Sequence, residues 1–143
     1  MSLNALMAAV ATQLTQQLTP AIDVLQVTGQ MNMNPTPPAI DLYPAELFQE
    51  PDAYKARNRR ALFTVRARVA TADVDYGQTL LLDMMDTAGV KSVTAALAVD
   101  GSFNGNCQDS AVEGPTGFVF YTDPVGQGET LLGCEWRLQT ILS

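Results

Sequence analysis

The chain has 143 residues and a formal charge of −7; 47% of it is apolar and only 16% charged. That length and balance predict one globular domain over 1–143 and exclude a disordered chain. The acidic surplus excludes indiscriminate binding of nucleic acid phosphates by the molecule as a whole.

The first segment, residues 2–18, places Leu3, Leu6, Met7, Val10, Leu14 and Leu18 at helical spacing, with Gln and Thr on the other side. Ser2 or Asn4 can cap this helix and Pro20 ends it. Residues 21–29 (AIDVLQVTG) read as a strand. Residues 30–38 read as a loop, because three prolines within 35–38 do not fit inside a sheet. Residues 39–43 (AIDLY) predict a short strand, followed by an irregular stretch over 44–58. The clearest strand is 61–71 (ALFTVRARVAT): Phe63, Val65, Ala67 and Val69 alternate with Thr64, Arg66 and Arg68, giving one buried and one polar face. At Asp73 the period changes to helical, and Leu80, Leu81, Met84 and Met85 mark an amphipathic helix over 73–86. Asp73 or Asp75 is its predicted N-cap and Gly89 its stop. A second, shorter helix begins after the cap residue Ser92. Three strands are expected at the end of the chain: 107–114, 117–122 and 130–142. In the last of these Leu132, Cys134, Trp136, Leu138 and Thr140 share a face, and 123–129 (DPVGQGE) joins it to the preceding strand as a hairpin. Runs of strands without strict alternation give an α+β class: an antiparallel or mixed sheet packed against an N-terminal helix and a central helix pair.

Chemistry-bearing patterns are sparse. The chain has no histidine, which removes His-based triads, the commonest general base and the commonest metal ligand. Cys107 and Cys134 lack CxxC spacing and are expected as thiols in a reducing compartment. Asp100, Ser102, Asn104 and Gly105 imitate the start of a calcium loop, but position 12 is Ala111, so the bidentate carboxylate is missing. Asp73/Asp75 and Asp83/Asp86 are accounted for by helix capping and a solvated helix face. The GxG in 125–131 lacks the third glycine of a dinucleotide site. No enzyme activity and no cofactor or metal is expected. No Lys or Arg precedes Lys55, so the charged region of a secretory signal is missing, and no apolar run reaches the roughly 18 residues of a membrane span.

Charge is unevenly spread. Six of the eight basic residues lie between Lys55 and Arg68, a +6 run within a −13 remainder. Two readings compete for it. In one, Arg66 and Arg68 pair with acids on a neighbouring strand of the same sheet, such as Glu135. In the other, Arg57, Arg59, Arg60, Arg66, Arg68 and Glu135 form an interface in which the basic segment of one copy meets the acidic surface of the next.

The order of segments resembles a known family. An N-terminal helix (NALMAAVATQL) precedes a strand and a Pro-rich loop (NPTPPAIDLYP). A long strand runs through an acidic cap into a helix (RRALFTVRARVATADVDYGQTLLLDMMD). A small-residue break and short helix (AGVKSVTAALAVDGSF) lead to an aromatic hairpin (FVFYTDPVGQGETLLGCEWRLQTIL). This layout, over most of the chain, resembles the tail terminator or tail-completion proteins at the head–tail junction of long-tailed bacteriophages. The resemblance implies a structural virion protein of the tail or neck, assembled in the host cytoplasm. It implies a homo-hexameric ring that caps the tail-tube protein, stops polymerisation and docks the head connector or head-completion protein. Double-stranded DNA then passes through the lumen without specific binding, and no membrane is involved. The contact loops are expected at 29–38, 44–56 and 123–130. Two alternatives stand beside this: another neck or tail component, such as a head-closure or tube subunit, and a small-ligand-binding α+β domain.

Overall fold

A computed structural model describes residues 2–49, 59–71, 74–122 and 130–142. The chain order is α1 (Leu3–Leu18), β1 (Gln26–Thr28), β2 (Ala39–Gln49), β3 (Arg59–Ala70), α2 (Val74–Met85), α3 (Val93–Ala98), β4 (Asp109–Glu113), β5 (Val119–Tyr121) and β6 (Leu131–Leu142). The class is α+β with a mixed sheet. Its strand order is β1-β2-β3-β6-β4, and β5 pairs with the same side of β6 beyond the end of β4. Among the described residues only the β1–β2 pair is parallel.

Local chemistry fixes each helix. Ser2 caps α1 by accepting from the amide of Ala5 at 3.3 Å, and Ser92 caps α3 by accepting from Ala95 at 3.1 Å. Asp75 lies in the first turn of α2, where its charge suits the helix dipole; the alternative cap, Asp73, lies outside the described residues. α2 stops at Met85, before Gly89. That glycine, at φ +114°, instead makes the turn towards α3, where its carbonyl accepts from Ser92. The last carbonyls of α3 are satisfied from α1: Gln13 Nε2 donates to Ala96 at 2.9 Å and to Leu97 at 3.2 Å.

The core forms between the helices and one face of the sheet. Leu6, Val10 and Leu14 of α1, Leu81 and Met84 of α2, and Val93 and Leu97 of α3 pack with Ile40, Leu42, Phe63, Val65, Trp136 and Leu138. The alternation expected in β3 and β6 holds residue by residue, with Phe63, Val65, Ala67, Cys134, Trp136, Leu138 and Thr140 all fully buried. Helix and strand approach closely at Gly77, where a β-carbon would stand 2.6 Å from the carbonyl oxygen of Ala70.

Two strands depart most from the sequence reading, while β3, β4, β5 and β6 differ from it by no more than two residues at either end. The strand predicted over 21–29 is ordered as a ladder only at Gln26–Thr28. β2, in contrast, continues through Pro44 to Gln49, where an irregular stretch was expected. A register shift between Pro44 and Glu46 absorbs the proline, which has no N–H to donate, and pairing with β3 then resumes to Gln49↔Arg59. The expected contact loop 44–56 is therefore strand as far as Gln49, and its remainder lies outside the described residues, as do 123–129.

Parallel neighbours need a crossover. Residues 29–38, between β1 and β2, supply it as a strap over the sheet face opposite the helices. Among the described residues, three helices cover one face of the sheet, and the strap crosses the other.

Candidate interface site

The open face is built by the alternate residues of β2, β3 and β6. The register aligns Asp41, Arg66 and Glu135 across three adjacent strands, with Tyr43, Thr64 and Arg137 in the next row. Arg68 lies opposite Gly133 in the row on the other side.

At the centre of this face is the Asp41 carboxylate, which has no exposed surface. Arg66 grips it with two bonds, Nε to Oδ1 and Nη2 to Oδ2, each 2.8 Å. Arg68 Nη2 lies 3.3 Å from Oδ2. The strap completes the arrangement through one residue. The Asn32 amide donates to Asp41 at 2.8 Å, while its carbonyl accepts from Arg68 at 2.8 Å and Arg66 at 3.3 Å. The Asn32 side chain reaches β1, donating to Gln26 at 3.3 Å and Thr28 at 3.5 Å, and Gln26 in turn accepts from the Thr36 amide at 3.0 Å. The strap is thus pinned to three strands from beneath.

Aromatic rings enclose the guanidinium groups. Arg66 stands 5.0 Å from the centroid of Tyr43 and 5.5 Å from that of Tyr121, and Arg68 stands 5.8 Å from Tyr121. Tyr121 donates its hydroxyl to Glu135. Its ring lies over Gly133, where a β-carbon would come within 2.7 Å of it. Burial, and then the bond to Glu135, raise the Tyr121 pKa far above its ordinary value, so it stays a neutral donor. Burial works against the charge of both arginines. For Arg66 the bond and charge of Asp41 outweigh it and the pKa rises; for Arg68 burial prevails and the pKa falls. Arg68 Nε is buried without an acceptor among the described residues. Beyond this cluster the face dips into a depression of about 440 Å³ between Leu62, Thr64, Pro115, Thr116, Glu135 and Arg137.

The residues singled out in the sequence separate accordingly. Arg66 and Arg68 are held within the chain, and the acid that holds them is Asp41, although Glu135 is the register neighbour of Arg66. Glu135 is bound to Tyr121 and to the strand edge, where its amide donates to Thr116 Oγ1 at 3.0 Å. Arg60 is partly exposed near the start of β3. Arg59 opens the same strand opposite Gln49 and Leu142. Arg57, with Lys55, lies outside the described residues. Sequence reasoning missed Asp41, Tyr43, Asn32 and Tyr121. A signal for the first two existed: in AIDLY, Asp41 and Tyr43 alternate with buried Ile40 and Leu42, which puts them on the face of Arg66. Asn32 and Tyr121 reach the cluster through tertiary contacts that no spacing encodes.

The calcium-like turn uses its own carboxylate. Asp100 Oδ1 accepts from the Ser102 amide (3.0 Å) and hydroxyl (2.7 Å), and Oδ2 accepts from the Asn104 amide (2.9 Å). These bonds lower the Asp100 pKa. They support Phe103, Asn104 and Gly105 at positive φ, and Phe103 enters the core there. Among the described residues no three possible metal-ligating side chains cluster, and no helix is long and apolar enough to cross a membrane.

Neither the known protein families nor the curated proteins contain a match to this chain.

Proposed function

We propose that this protein is a structural subunit of a long-tailed phage that forms a homo-hexameric ring at the end of the tail tube. The ring ends tube polymerisation and provides the attachment surface for the head connector, with DNA passing through its lumen. The reading starts from the order of segments along the chain. The observation that carries it is the one-sided packing of the sheet. Three helices bury one face, while the other carries the polar Asp41 cluster and, among the described residues, is crossed by the strap. A two-layer subunit of this kind can offer its second sheet face to neighbouring subunits, and repeated head-to-tail contacts between copies close into rings. The cluster at the centre of the open face joins side chains to one another and to the strap backbone, an arrangement suited to holding a surface in shape. The acidic surplus of the chain suits a conduit that does not retain passing phosphates.

Native mass measurement with negative-stain imaging over a range of concentrations tests this. Six-copy rings are the expected outcome, on their own or on the ends of tail tubes. Long open tubes would instead identify a tube subunit.

A further inference from the structure

The turn at 100–107, between α3 and β4, carries reactive chemistry of its own. Asn104 is followed by Gly105 and Asp100 by Gly101, and no other asparagine or aspartate of the chain precedes a glycine. Before a glycine, the side-chain carbonyl carbon lies open to attack by the next backbone nitrogen, because no β-carbon crowds that nitrogen. The structure separates the two positions. The Asp100 carboxylate accepts from the Ser102 amide and hydroxyl and from the Asn104 amide. Those bonds keep it ionised, and a carboxylate anion is a poor electrophile. Asn104 is exposed, and its side-chain amide has no hydrogen-bond partner among the described residues. The space beside Gly105 is open as well: a β-carbon placed there would meet nothing within 4 Å.

We propose that Asn104–Gly105 is a site at which the chain modifies itself, by deamidation through a cyclic imide. The Gly105 nitrogen bonds to the Asn104 side-chain carbonyl carbon. The bond from that carbon to Nδ2 breaks, and Nδ2 leaves as ammonia with the proton given up by Gly105. Water then opens the imide at either carbonyl. Opening at the side-chain carbonyl gives aspartate; opening at the main-chain carbonyl gives isoaspartate, whose backbone runs through an extra methylene. Water is the only co-reactant, and the product gains a negative charge. The fold sets the pace. The Gly105 amide donates to Ser102 Oγ at 3.2 Å and the Asn104 amide to Asp100 Oδ2 at 2.9 Å, with Asn104 held at φ +60° and Gly105 at φ +80°. The nitrogen must leave Ser102 before it attacks, so the reaction proceeds from an opened turn. Its product does not fit the closed one: the new carboxylate stands beside Asp100, and the lengthened backbone displaces the bonds on either side. Phe103, buried in the core, and Cys107, whose amide donates to the Ser102 carbonyl at 3.1 Å, belong to this turn. The modified chain therefore loses the burial of the Cys107 thiol.

Peptide mapping of the folded protein after incubation in mildly alkaline buffer tests this. The expected result is a gain of about 1 Da at Asn104 ahead of every other asparagine, with isoaspartate exceeding aspartate, the signature of a cyclic imide. A free peptide covering 98–109 should convert roughly tenfold faster than the folded chain, and Ser102→Ala should speed the folded chain roughly threefold. Asn104→Gln should suppress the change. The modified fraction, separated by anion exchange, should react at Cys107 with a thiol reagent that leaves the unmodified fraction untouched. Asn104 still intact when the free peptide is fully converted overturns the proposal, as does faster conversion at another asparagine. Aspartate without isoaspartate overturns it too, because that product marks direct hydrolysis. An unchanged rate in Ser102→Ala would overturn the restraint assigned to the turn.

Discussion

At Asp41 one carboxylate without exposed surface receives two bonds from Arg66, one from the Asn32 amide and the charge of Arg68. Removing it leaves two guanidinium groups largely buried without a counter-ion, and frees the strap amide. Asp41→Ala should therefore cost about 3–5 kcal/mol, the range for breaking one partner of a buried pair; chemical denaturation measures it, and a loss below about 1 kcal/mol would show that water replaces the carboxylate at little cost. The same substitution should raise hydrogen exchange along 29–38 before the rest of the molecule. Cys134 makes a prediction about alkaline stability. Burial pushes its thiol up to about 12 from an ordinary value near 9. The folded state therefore holds the proton longer than the unfolded one. This contribution to stability is fully present below about pH 9 and is lost as pH rises through 9 towards 12. Cys134→Ala should flatten the fall in stability over that window, and a thiol reagent at pH 8 should leave native Cys134 unmodified.

Among the elements, the α2–β3 junction tests how closely helix and sheet are fitted. Glycine inside a helix is ordinarily worse than alanine by roughly 0.5–1 kcal/mol. At Gly77 the sign should reverse, because the new methyl would lie 2.6 Å from a backbone oxygen that cannot move without shifting β3. Gly77→Ala should destabilise by about 1–3 kcal/mol in thermal or urea unfolding; a stabilised variant would mean that α2 rides higher on the sheet than described. Ser92→Ala should cost about 1 kcal/mol through the lost cap of α3. The elements also show what a single sequence reveals. The alternation of β3 and β6 was readable because the polar and apolar faces of those strands differ at almost every step. The passage of β2 through Pro44 was not, because a proline breaks the ladder unless a bulge absorbs it, and the bulge is defined only once β3 lies alongside. The arginine pair was half readable. Its in-chain pairing was one of the two expectations, with Glu135 of the last strand as the expected acid, but the acid is Asp41, whose position beside Arg66 follows only when the β2–β3 register is known.

At the scale of the molecule, the described residues form a sheet packed against three helices on one side, with the Asp41 cluster and the strap on the other. Two of the chain's positive charges, Arg66 and Arg68, are neutralised by Asp41 inside the open-face cluster. Such a subunit can make repeated contacts with copies of itself, which is what the proposed tail-end ring requires. The most direct measurement is the length of the tails made by a phage that encodes this chain when its gene is disrupted. Electron microscopy should show overlong tubes without heads, and supplying the intact protein should restore normal length. Tails of normal length in the disrupted phage would contradict the terminator reading.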